Sequence, residues 1–473
     1  MTDKKISSKV VVKSGVWYTV SNFLFRSIAF LTTPIFARIL SKTEYGEYNN
    51  INSWISLLVI IAACDLHTSI IRAKLDYEDD LERYAVSVLT LSSIITIILY
   101  FVFHFFSGEL ESILGFSSKY FGIIFLYLLF QEAYQVFITL ERAHYRYKAF
   151  SLITGLSIVV IYLFSLFLVL TLDNKLDARV YGQYLPYVII GLVMYILLIR
   201  KGKKVNFRYY GYALSLSLPL VPHLLSIVAL NSSDRIMITK LVGAQYTAIY
   251  SIAYIITNIV TILLDSMNKA WAPWLLDTLK VNNKADIRKT STPYFLIFVG
   301  LLLGVLLFAP EIVWILGGDK YLEGIYVLPP LIVGCLYQFA YTMYVQLEFF
   351  EKKMKTVAVG TMIAALVNIG LNFVFIPIFG YIAAGYTTLV GYMLLFFIHY
   401  RTICRYGYKD IFDRKIIFLA LGSSILMLPV FILIYMNTII RYAVIIVYIG
   451  SLLYILMKYS KVIKEKVRKK RIK

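Results

Sequence analysis

The chain is predicted to fold as an all-α polytopic membrane protein with about fourteen transmembrane helices. Three observations carry this. Of its 473 residues, 60% are hydrophobic and only 16% charged, against about 25% charged in soluble proteins. The apolar residues fall in blocks of roughly twenty, the length that crosses a hydrocarbon core as a helix. Lysine and arginine concentrate in alternate loops between those blocks.

Taken in order, the first block is 15–37. It follows the basic start MTDKKISSKVVVKSG. No small-residue cleavage site follows a short apolar core, so this start is expected to be retained rather than removed. Further blocks are expected at 50–70, 84–107, 120–140, 150–171, 181–199, 213–232, 246–267, 293–316, 326–347, 357–377, 381–400, 416–436 and 441–457. With the N-terminus inside, the tails and alternate loops on that side hold 37 of the 47 Lys and Arg. This predicts cytoplasmic termini. The net charge of +20 is thereby read as topogenic, with the tail KYSKVIKEKVRKKRIK suited to an anionic inner leaflet. Nucleic acid is not an expected partner.

The loops are short. The longest is expected at 268–292, on the cytoplasmic side, and the outer ones, such as SGELESILGFSSK and TLDNKLDAR, are about ten residues. No soluble domain fits in them. Cys64, Cys335 and Cys404 are far apart, without metal-like spacing. No glycine-rich phosphate loop with a lysine is present, and no metal site or cofactor is expected. The pattern favours a transporter over an enzyme.

The chain is internally duplicated. Residues 131–154 shifted by 207 match 338–361 without a gap, with seven identities in 24 positions. The identities include Gln131/Gln338, Tyr134/Tyr341, Glu141/Glu348 and Lys148/Lys355. A shift of six spans keeps the copies parallel in the membrane. Two such bundles with a substrate site between them are a common transporter plan. The expected divisions are 1–205, 206–405 and an appended pair of helices with a basic tail over 406–473. ARILSKTEYGEYNN (37–50) and TKLVGAQYTAIYSI (239–252) form a second parallel pair, each expected as a polar turn after the first span of its half. Gly46 suits such a turn.

Three segments resemble those of the polysaccharide-unit flippases of the multidrug/oligosaccharidyl-lipid/polysaccharide exporter superfamily. They are RILSKTEYGEYN, SLPLVPHLLSIVALNSSDRIMITKLVGAQYTAIYSIAY (215–254) and NKAWAPWLL (268–276). The family usually has Gly before IYS; here it is Ala248. The resemblance implies export of an undecaprenyl-diphosphate-linked oligosaccharide across the bacterial cytoplasmic membrane for O-antigen, capsule or related polysaccharide. It implies alternating access between two rocking bundles. It also suggests membrane lipids, a polysaccharide polymerase and a chain-length regulator as partners. A cation-coupled drug antiporter of the same superfamily and a membrane polysaccharide polymerase are the competing functions.

Charged residues inside spans are the candidate site. Arg26 lies roughly 16 Å into the first span. It is expected to meet a diphosphate or sugar acid, or else a buried ion-pair partner. His223, at similar depth in the seventh span, is a phosphate or proton ligand, or a hydrogen-bonded core residue. Glu132 is a proton-coupling carboxylate, or a salt-bridge partner of Arg26. Gln131 and Gln338 bind sugar hydroxyls or join helices. Asp65 and Asp265 are expected near equivalent cytoplasmic positions, as gate residues pairing with Lys269, Arg72 or Lys74, or as caps. Asp234 and Arg235 match the family pattern near the outer end of the seventh span. H+ or Na+ is the expected coupling ion.

Overall fold

The computed structural model describes Trp17, Ile28 and residues 30–471, with 459–471 described by backbone alone. It is all-helical among the described residues. The helices are α1 (Phe30–Ile39), then α2 (Lys42–Ala63), α3 (Ser69–Asp76), α4 (Leu81–Phe105), α5 (Ser107–Leu114), α6 (Phe121–Ala143), α7 (Tyr147–Thr171), α8 (Lys175–Gly202), α9 (Arg208–Ser217) and α10 (Val221–Leu241). They continue as α11 (Ala244–Lys280), α12 (Lys284–Leu307), α13 (Ala309–Gly317), α14 (Leu328–Phe350), α15 (Met354–Phe379), α16 (Ile382–Arg405), α17 (Arg414–Leu426), α18 (Leu428–Met436) and α19 (Thr438–Arg471). Among the described residues, eleven helical segments are long and apolar enough to cross a membrane. Two bent pairs, α2/α3 and α17/α18, raise this to thirteen. α1 is the end of the first expected span, the rest of which lies mostly outside the described residues.

Local chemistry sets the boundaries. Ser41 caps α2 through a capping box, its hydroxyl accepting from the Glu44 N–H while the Glu44 carboxylate accepts from the Ser41 N–H. This pulls 42–50 into the helix, so the turn expected over 37–50 shrinks to the residues around Ser41. The Val242–Gly243 turn is its counterpart, and there Gly243 adopts φ 124°, open to glycine but not to a residue with a Cβ. Gly46 therefore has a different job from the one expected. It lies inside α2, where an added Cβ would fall 1.7 Å from the Ala244 carbonyl oxygen. Its missing side chain lets the starts of α2 and α11 touch. Small residues serve this way where helices pack without a hydrophobic driving force. Two further expectations change. The predicted 268–292 loop is largely helical because α11 runs on to Lys280, and the predicted 293–316 span stops at Leu307, with α13 separate.

The duplicated segment folds the same way twice. Tyr145 and Lys352, 207 residues apart, both adopt left-handed backbone, at φ 56° and 57°. The Arg146 N–H donates to the Glu141 carbonyl at 2.9 Å, and the Lys353 N–H to the Glu348 carbonyl at 2.8 Å. α6 packs on α8 as α14 packs on α16, and α7 on α8 as α15 on α16. α2 packs against α10 and α11, joining residues of the first copy to those of the second.

Candidate functional site

The buried charged groups collect in a few places. The first is the break between α2 and α3. Cys64 and Asp65 both take left-handed backbone, at φ 47° and 53°, which ends α2 and bends the chain by 57°. Such conformations cost non-glycine residues on the order of 1 kcal/mol each and recur at functional sites. The turn brings His67 against Glu132 of α6, with Nδ1 3.3 Å from Oε2. Glu132 is 1% exposed and its oxygens accept no hydrogen bond among the described residues, so the imidazole, when protonated, is the cation that faces it. His67 Nε2 lies 3.8 Å from Asp65 Oδ1. The Ser217 hydroxyl donates to the Asp65 carbonyl at 3.2 Å, so the break in the second span touches the end of α9, just before the 3-10 turn that leads into α10.

The partners expected for Asp65 lie elsewhere. Thr68 donates to its carboxylate at 3.0 Å, because the left-handed residues fold Asp65 into its own turn. Arg72 instead pairs with Asp76 at 3.4 Å, and Lys74 donates to the Ala143 carbonyl. Asp265 is half-buried inside the unbroken α11. The two aspartates therefore do not occupy equivalent settings.

The second cluster surrounds Asp234, which is fully buried in α10. One carboxylate oxygen accepts from the Tyr250 and Thr388 hydroxyls, the latter at 2.7 Å, and the other from the Asn372 amide at 2.6 Å. Asn368, buried one turn before Asn372, bonds Thr388 at 3.4 Å. Four helices, α10, α11, α15 and α16, thus converge on one carboxylate. Arg235 does not pair with it; its guanidinium stacks on Tyr254 at 4.3 Å and reaches the Asn231 carbonyl. The hard oxygens of Asp234, Asn368, Asn372 and Thr388 are a donor set that suits a proton or Na+. A third cluster is a fully buried pair, His399 Nδ1 at 2.8 Å from Glu348 Oε1.

Other expected residues stand apart. Arg26 lies outside the described residues, and so does its proposed pairing with Glu132. His223 is half-buried in the first turn of α10, its Nδ1 without a hydrogen-bond partner among the described residues. Gln131 is buried on α6 and Gln338 half-buried on α14, and no hydrogen bond joins them.

At the end of the bundle where α1 stops, two cations join α1 and the residues just past it to the end of α13 and the turn that follows it. Arg38 of α1 donates to the carbonyls of Ile315 and Trp314, at 3.0 and 3.1 Å, at the end of α13. Lys320 returns the contact, donating to the Leu40 carbonyl at 2.6 Å, just past α1. Cations at helix C-termini satisfy orphan carbonyls and complement the dipole.

Sequence reasoning missed His67, His399 and the Asn368/Asn372 pair. The asparagines carried a signal, since four-residue spacing puts both on one face of a helix. The histidines carried none beyond being polar in apolar surroundings.

Comparison with known proteins adds to this geometry. Residues 11–279 match the family described as "Polysaccharide biosynthesis protein". A protein of the Lsg locus of Haemophilus influenzae is 21% identical over 371 residues, 76% of this chain and 90% of that protein. The fold is similar to the lipid II flippase MurJ in its inward closed conformation, with a TM-score of 0.69 and 14% identity over 93% of this chain and 100% of that one. It is also similar to an inward-facing multidrug resistance MATE family transporter of the MOP superfamily, with a TM-score of 0.58 and 15% identity over 82% of this chain and 95% of that one.

Proposed function

The chain belongs to the polysaccharide biosynthesis protein family, and from that premise we propose that it is a flippase for undecaprenyl-diphosphate-linked oligosaccharide units. It takes a unit assembled on the cytoplasmic face of a bacterial cytoplasmic membrane and presents it on the outer face for polymerisation. The observation that carries this reading is the family match on a chain whose fold is similar to that of the lipid II flippase over 93% of its length. The drug antiporter reading draws on the MATE likeness, which is lower and stops at 82% of the chain.

In the proposed mechanism residues 1–205 and 206–405 rock against each other. The Arg38–Lys320 lock closes the outer end while the cytoplasmic end receives substrate. Arg26 contacts the diphosphate, with His223, Gln131 and Gln338 as further substrate contacts. Glu132 with His67, and Asp234 with its hydroxyl and amide partners, take the coupling cation. A proton on either carboxylate, or Na+ among the oxygens around Asp234, would remove a buried negative charge. That alters the cost of separating the helices that meet there.

The test is a lipid extract of cells lacking the protein, with the sidedness of any lipid-linked oligosaccharide determined. The expected result is accumulation on the cytoplasmic face, relieved by the intact gene. Normal turnover would reject the flippase reading and favour the antiporter. Accumulation on the outer face would place the block at polymerisation.

A further inference from the structure

Arg179 sits in the second turn of α8. In the sequence it falls in an outer loop, among the minority of cations on that side, but it is 95% buried, with a relative exposure of 5%. Among the described residues no carboxylate pairs with it. Its Nη1 donates to the Ser165 hydroxyl at 2.6 Å and the Gln183 amide oxygen at 3.2 Å. Its Nε is buried without a hydrogen-bond partner. The guanidinium lies between two aromatic faces, Phe36 of α1 at 3.8 Å and Tyr48 of α2 at 4.4 Å. It is thus held by four helices, α1, α2, α7 and α8, and neutralised by none of them.

Neutral acceptors and ring quadrupoles recover part of a guanidinium's hydration, but a buried charge with an idle donor remains costly. Rigid placement with a missing counter-charge is the arrangement of a site that receives an anion. The planar fork suits phosphate and carboxylate oxygens. The surroundings suit a sugar. Beside Tyr48, α2 also carries Asn52, which binds Tyr184 of α8, and Tyr127 of α6 packs on Tyr184 at 4.8 Å and on Tyr187 at 5.4 Å. Tyr162 and Tyr187 are only half-buried, which leaves ring faces and hydroxyls for a glycan to meet. Tyr184 already donates to Asn52 at 2.6 Å, which orients its ring.

We propose that Arg179, with the tyrosines around it, is an anion-binding subsite for the head group of the transported unit. The anion is either the diphosphate or the carboxylate of an acidic sugar. This rests on the flippase reading for the identity of the unit, though the site itself does not need that reading to be tested.

The experiment uses the full chain purified into nanodiscs and titrated calorimetrically with inorganic pyrophosphate, glucuronate and glucose. Arg179 modification by an arginine-specific dicarbonyl is mapped by mass spectrometry with and without each probe. Saturable binding of an anion but not glucose is expected, with the bound anion protecting Arg179. Arg179→Gln should weaken that binding by about tenfold or more, since a charge-assisted contact is lost, and Arg179→Lys by less. Pyrophosphate alone acting would identify the diphosphate; glucuronate alone would identify an acidic sugar. The proposal fails if neither anion binds, if neither protects Arg179, or if Arg179→Gln binds unchanged. Should Arg179→Gln not fold, protection of the wild-type residue still decides. Anion binding without lipid accumulation in the deletion strain would overturn the flippase reading and leave the site standing. Accumulation with an unprotected Arg179 would do the reverse.

Discussion

Asp234 shows how a single side chain can be both a structural post and a switch. Three donors from three helices end on it, and each buried donor left without an acceptor costs about 1–3 kcal/mol. Asp234→Ala should therefore lower thermal stability of the detergent-purified protein. Asp234→Asn keeps one acceptor and the shape but cannot change charge. It should leave the protein abundant in the membrane while export of lipid-linked oligosaccharide falls at least about tenfold, a barrier change near 1.4 kcal/mol. Normal export by the Asn variant at matched abundance would remove Asp234 from the coupling role. Glu132 invites the parallel comparison, because His67, when protonated, is the cation that faces it. Glu132→Gln should flatten the pH dependence of export that His67→Asn also flattens, and the double variant should do no more than either single one. Additive losses would mean the two act separately.

At the scale of elements, much was legible in the sequence and some was not. Span length and apolar blocks located the helices, because a membrane leaves the backbone few alternatives. The 207-residue shift located the repeated α6–α7 and α14–α15 turns, since Glu141 and Glu348 sit where the chain folds back. What escaped were features set by contact between distant segments. The break at Cys64–Asp65 lies in an apolar run with no proline or glycine, and only the packing of His67 on Glu132 and Ser217 on Asp65 explains it. The role of Gly46 depends on α11, almost two hundred residues away. Gly46→Ala should push α2 from α11 and destabilise the protein by about 1–3 kcal/mol, read as a lower Tm; an unchanged Tm would mean the two helix starts yield freely. The C-terminal pair is anchored by another distant contact. Glu311 of α13 accepts from Arg441 at 2.5 Å and Tyr442 at 2.9 Å. Burial pushes its carboxyl up, but these bonds outweigh burial and hold it below its ordinary value. The folded value is depressed, so the anchoring is fully present above the ordinary carboxylate range. It is lost as pH falls through the depressed value. Glu311→Gln should raise hydrogen exchange in α18 and the start of α19 at neutral pH, as acid does to the wild type. Unaltered exchange would show that apolar packing alone holds the pair.

For the whole molecule the decisive contact is the reciprocal lock between Arg38 and Lys320. Each cation bonds carbonyls near the other's segment, so parting the two segments uncovers both sets of carbonyls. Beside it, the starts of α2 and α11 touch through Gly46, and Tyr45 packs edge-on against Tyr321 at 6.1 Å. A flippase that releases its substrate at this end must part all of these at once. The lock should therefore be strong enough to set the resting state and weak enough to break each cycle. Four hydrogen bonds, one of them long at 3.4 Å, worth about 1 kcal/mol or less each and discounted for exposure, amount to about 2 kcal/mol. That is a roughly thirtyfold shift in population when lost. The check uses Tyr45→Cys, buried at 5% exposure, in a background with Cys64, Cys335 and Cys404 replaced. Adding Arg38→Ala and Lys320→Ala should speed its reaction with a water-soluble maleimide by up to that factor in purified protein, because the thiol is reached only when the two copies part. A rate unmoved by the double change would show that the lock follows the closed state rather than holding it. The closure would then rest on the α2–α11 contact, and Gly46→Ala would be the variant that opens it.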